Sequence, residues 1–120
     1  MTVMTSGRAL ATAAAVPALL LAAQAQAHAH LVASTPAANA AVAAPKALHL
    51  QFNEKLEPKF SAADLTTAVG VPVPVTSKAA GVAIEATPKA PLAPGAYLVK
   101  WHVLSADGHK SEGVFNFSVR

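Results

Sequence analysis

The chain has 120 residues, of which 53% are hydrophobic, 5% aromatic and 12% charged, and it contains no cysteine. That length suits one domain, and the lack of thiols excludes disulfides, zinc–thiolate sites and iron–sulfur clusters. Nine Lys and Arg against six Asp and Glu leave a net charge of +3, scattered singly, so no basic block argues for nucleic acid.

Residues 1–27 read as a secretory signal peptide. Arg8 is the positive n-region, Ala9–Ala23 the apolar stretch, and Ala25-Gln26-Ala27 the small-x-small cleavage pattern. The apolar stretch is shorter than the ~20 residues a membrane-spanning helix needs, and Pro17 interrupts it. Ala23-Gln24-Ala25 and Ala27-His28-Ala29 also fit a peptidase, but cutting after Ala27 makes His28 the first residue of a domain covering 28–120.

From Ala47 onward a period of two dominates. Leu48, Leu50 and Phe52 alternate with polar residues, as do Val82, Ile84 and Ala86. Tyr97, Val99, Trp101 and Val103 form one face of the strongest strand, and Phe115, Phe117 and Val119 one face of the last. Leu31–Thr35, Ala62–Val69 and Val71–Thr76 are weaker candidates, the last broken by Pro72 and Pro74. Turn residues separate these runs, and no proline-free stretch sustains a helical period. About seven short strands predict an all-β, antiparallel sandwich of immunoglobulin-like size.

Several enzyme templates are missing: there is no phosphate-binding Gly-rich loop, no Gly-x-Ser-x-Gly elbow and no His-Glu-x-x-His. Ser105, Asp107 and His109 are too closely spaced on one strand end to make the nested hydrogen bonds of a hydrolase triad. Asp107 and His109 can instead share one ion, because residues two apart in an extended segment project to the same side. Taken alone, Asp107-Gly108 is a hairpin turn signal and His109 an exposed neighbour.

A mature N-terminus at His28 adds its α-amine and imidazole to that pair. The donor set becomes three nitrogens and one oxygen, which suits one Cu(II) per chain in a tetragonal plane. His30 has two readings. As the third residue it could wrap Cu(II) with the amine, two deprotonated amides and its own imidazole, in a chelate that needs no fold. Otherwise it is an auxiliary neighbour of a site held by His28, the reading that also accounts for Asp107 and His109. His49 and His102 read as outward strand positions with no metal role.

His28-Ala29-His30-Leu31-Val32-Ala33-Ser34-Thr35-Pro36, Phe52-Asn53-Glu54, the run Leu92 to Trp101, Ser105-x-Asp107-x-His109 and the run Gly113 to Val119 together resemble the CopC/PcoC family of periplasmic copper-resistance proteins. The resemblance covers essentially all of 28–120. It implies a Greek-key β-sandwich binding Cu(II) through His28, Asp107 and His109, with Glu54 hydrogen-bonding the amine or ordering the site. It also implies a periplasmic location, a role in copper homeostasis and resistance, and a CopD-like inner-membrane copper transporter as partner. One departure stands out: the only methionines are Met1 and Met4, so the mature chain has no thioether for the Cu(I) site that some members carry.

A non-enzymatic copper carrier, with neither a small-molecule substrate nor nucleic acid as partner, is thus the leading expectation. An N-terminal histidine brace also serves copper monooxygenases, which need an open metal position and a flat aromatic surface. Here Asp107 would fill an in-plane position, and the single Trp and Tyr read as inward-facing. A metal-free immunoglobulin-like structural domain is the remaining alternative.

Overall fold

A computed structural model describes residues 2–4 and 29–120, and the signal-peptide reading falls almost wholly outside them. Among the described residues nine strands follow one another: β1 Leu31–Thr35, β2 Ala41–Val42, β3 Leu48–Phe52, β4 Ala62–Thr67, β5 Pro72–Val73, β6 Val75–Ala80, β7 Ala83–Pro88, β8 Gly95–Leu104 and β9 Lys110–Val119. The one helical element among the described residues is a 3-10 turn at Pro58–Phe60. Two sheets form, ordered β1-β3-β7-β6 and β2-β9-β8-β4-β5. The chain leaves the first sheet after β3, returns to it at β6, and turns into β7, which pairs beside β3, the crossing connection of a Greek key.

The alternation that defines the strands also fills the core. Leu48, Leu50 and Phe52 of β3, with Ile84 and Ala86 of β7, face Leu65 of β4, Tyr97, Val99 and Val103 of β8, and Phe117 and Val119 of β9. Tyr97 stacks on Phe117 at 5.6 Å between centroids and donates its hydroxyl to Ala93 O at 2.6 Å. The phenol therefore enters the core without leaving a polar group unpaired. Phe52 meets Trp101 edge-on at 5.0 Å, tying the sheets together at the end where β8 turns into β9.

Three details differ from the expectation read off the sequence. The strand count rises from about seven to nine because β2 and β5 are two-residue edge strands, too short to show a period. The run Val71–Thr76 is two strands: Pro72-Val73 pairs with β4 in one sheet, and beyond Pro74 the chain crosses to pair with β7 in the other. A proline lacks the N–H a continuous ladder would use, so the crossing falls there. Val82, expected to share a face with Ile84 and Ala86, sits exposed in the turn before β7.

Candidate metal centre

Strands β8 and β9 form a ten-pair hairpin from Gly95↔Val119 to Leu104↔Lys110, closed by the loop Ser105–His109. Ser105 N–H donates to His109 O at 2.9 Å, and Gly108 N–H donates to Ser105 O at 2.9 Å. Gly108 has φ +94°, a left-handed conformation that side chains rarely adopt, and this lets the chain reverse. Ser105 is fully buried, and its hydroxyl donates to Asp107 Oδ1. The same carboxylate oxygen accepts His109 N–H at 3.3 Å and lies 3.1 Å from His109 Nδ1.

Asp107 and His109 do come together, as expected, but through a turn rather than along an extended strand. The hydrogen bonds also place the carboxylate between the serine and the histidine. A nucleophilic triad needs the imidazole in that middle position, so this order cannot pass a serine proton to the ring. It serves to orient instead: a ring giving its Nδ1 proton to Asp107 presents its acceptor lone pair at Nε2. The Ser105 hydroxyl and then the His109 ring hold the Asp107 carboxyl below its ordinary value, against desolvation, with the His109 backbone N–H and charge adding less.

The N-terminal segment reaches the same end of the sandwich. Ala29 is 1% exposed and belongs to the core. Its carbonyl accepts the Ser111 hydroxyl at 2.8 Å, and Ser111 lies on β9, two residues beyond His109. His30, itself exposed, donates its N–H to Asn53 Oδ1 at 2.6 Å, while Asn53 N–H donates to His30 O at 3.1 Å. Half-buried Glu54 comes next, and then Lys55, whose carbonyl accepts Ala106 N–H at 2.9 Å. Glu54 thus occupies the short connection between Asn53, which holds His30, and the Asp107 loop.

His28, the expected donor of amine and imidazole, lies outside the described residues. Among the described residues no group of three or more His, Cys, Asp or Glu could hold a metal, so the Asp107–His109 pair needs a further donor to complete a site. His49 and His102 are exposed on their strands, as expected, and His49 Nδ1 lies 3.6 Å from Glu85 Oε2. Asn53 and Ser111 were not legible as site residues, since each acts on backbone groups distant in sequence, and their only sequence signal was position near Glu54 and His109. Ser105 stood in the Ser105-x-Asp107-x-His109 motif, but the donation of its buried hydroxyl to Asp107 was not legible.

Residues 31–120 match the model of the CopC domain. The chain belongs to the CopC family. It is 42% identical over 118 residues to copper resistance protein C of Xanthomonas campestris pv. juglandis, covering 91% of this chain and 93% of that one. It is 39% identical over 107 residues to copper resistance protein C of Escherichia coli, covering 80% and 84%. The crystal structure of PcoC, a methionine-rich copper resistance protein from Escherichia coli, superposes with a TM-score of 0.71 at 37% identity, covering 78% of this chain and 100% of that one. CopC from Methylosinus trichosporium OB3b gives 0.72 at 35% identity, covering 77% and 93%. The CopC-domain match takes in Glu54, Asp107 and His109 and begins after His30.

Proposed function

We propose that this CopC-family protein is exported to the periplasm and carries or buffers one Cu(II). The ligands are the His28 amine and imidazole, the Asp107 carboxylate and the His109 imidazole, with Glu54 ordering the amine. The observation that carries this reading is the mooring of Ala29 to Ser111, on the strand that begins beside His109. Ala29, which would follow a mature N-terminus at His28, is held at the same end of the sandwich as the Asp107 loop, and this supports the ligand set. Copper is cargo here, and a CopD-like membrane transporter is the recipient that family membership suggests. Four protein donors would leave an oxygen ligand less room than a catalytic copper site keeps, which favours a carrier over an oxidase.

Nitrogen and oxygen donors without sulfur favour Cu(II) over Cu(I). The chain has no cysteine and has methionine only at positions 1 and 4, within the proposed leader. Mature protein starting at His28 should take up one equivalent of Cu(II) in an isothermal titration, with a tetragonal, nitrogen-coupled electron paramagnetic resonance spectrum. Trp101 emission should fall in step and level off at one equivalent. Tight Cu(I) binding in a competition assay, or no stoichiometric Cu(II) uptake, would overturn the assignment.

Acid should release the metal, because protons and Cu(II) compete for the same lone pairs. Ordinary imidazoles and α-amines protonate near ~6.5 and ~7.7–8.0. Asp107 has a lowered pKa, so its contribution is present above the ordinary carboxylate range and is lost only as pH falls through that lowered value. Copper should therefore leave in mildly acid buffer while Asp107 is still ionised. Asp107→Asn should weaken binding without moving the pH at which affinity begins to fall. Affinity that stays flat from neutral to mildly acid pH would remove the nitrogen donors from the site.

A further inference from the structure

Chain termini ordinarily fray. In this chain the first described residues of the domain are hydrogen-bonded to both sheets at once. Ser111 of β9 holds Ala29 O at 2.8 Å, and Asn53, at the end of β3, holds both polar groups of the His30 backbone at 2.6 and 3.1 Å. The β1–β3 ladder runs out at the pair Leu31↔Phe52. One residue further, the Asn53 side-chain carbonyl substitutes for a main-chain acceptor and extends the pairing to His30. The Ala29 methyl is sealed in the core beneath these contacts.

We propose that Asn53 and Ser111 are positioning residues that decide how the N-terminus binds Cu(II), an inference that rests on the copper reading above. Two modes compete for the same amine. In the folded mode the amine and His28 join Asp107 and His109. In the wrapped mode the metal displaces the amide protons of Ala29 and His30 to solvent and closes on the His30 imidazole. The His30 N–H that the wrapped mode must give up is the one held by Asn53 Oδ1. The clamp thus withholds a donor from the wrapped mode. It also fixes Ala29 and His30 at the end of the sandwich that carries Asp107 and His109, which raises the fraction of molecules competent for the folded mode and so the apparent affinity.

The test uses the mature protein and its Asn53→Ala, Asn53→Asp, Ser111→Ala and Ser111→Thr variants, each checked for an intact fold by circular dichroism. In metal-free protein, Asn53→Ala and Ser111→Ala should speed amide hydrogen exchange at His30 by about tenfold or more. Asn53→Asp and Ser111→Thr keep an acceptor and a hydroxyl, and should stay close to native. With Cu(II) as probe near neutral pH, the two alanine variants should bind about 10- to 100-fold more weakly, the range typical of groups that orient metal ligands. Asn53→Ala should also shift the visible and electron paramagnetic resonance spectra toward a four-nitrogen, amide-bound form. If the alanine variants match native affinity and spectrum while native protein binds one Cu(II), the clamp is wrong and the copper reading survives. If native protein takes up no Cu(II), both fall together.

Discussion

One extra residue ahead of His28 should weaken Cu(II) binding by more than about 100-fold, although no side chain has changed. The added residue turns the amine into an amide, removing one ligand and opening the chelate that holds the His28 imidazole. Loss of a group that merely orients a ligand costs 10- to 100-fold, so loss of a chelating ligand should cost more. His28→Ala, Asp107→Ala and His109→Ala should each weaken binding, whereas His30→Ala should matter less. A chelate independent of the fold predicts the reverse: His30→Ala would abolish binding, and the Asp107 and His109 variants would bind normally. One isothermal titration series over these proteins separates the two. If the extended protein binds as tightly as the native one, the amine is not a ligand in either arrangement.

Phe52→Ala should cost about 3–5 kcal/mol of stability, the usual penalty for emptying an aromatic site in a core. Phe52 is 2% exposed, and its ring supports the edge of Trp101. Trp101 in turn lies over Gly113, where an added Cβ would collide with the indole ring. Removing the phenyl ring leaves the indole with support on one side only, so Trp101 emission should move toward that of a wetter environment. Denaturant melts followed by fluorescence give both numbers. A loss under about 1.5 kcal/mol would mean that neighbouring side chains collapse into the space. The effect should extend to copper, since Phe52 pairs with Leu31 and precedes Asn53.

Much of the sandwich was legible because most strands bury one face and expose the other. Leu48, Leu50 and Phe52 alternate with exposed His49 and Gln51, and periodicity detects that pattern directly. Ala41–Val42 carries no such signal, and its two residues are strand only because β9 offers a parallel edge. Pro74 announced a break, but which sheet each half would join depended on partners distant in sequence. Val82 followed the apolar alternation and still sits in a turn, because β7 begins one residue later.

The Asp107–His109 pair was legible for a partly mistaken reason. The spacing suggested a shared side of a strand, whereas a buried serine and a left-handed glycine bring the two together in a turn. Asn53 and Ser111 could not be found by the same reading. They contact His30 and Ala29 across separations of 23 and 82 residues, and only the folded chain brings them close.

Those separations divide the site by the length of chain each half must close. The Ser105–Asp107–His109 web spans only four residues within one hairpin, and such local contacts form early and quickly. The Ala29–Ser111 contact closes a loop of 82 residues, and loop-closure entropy makes such contacts later arrivals. On the copper reading proposed above, a chain still folding would hold only the hairpin tip, with its carboxylate and imidazole set. Full copper affinity would then certify completed folding, since it would wait until Ala29 and Ser111 had met.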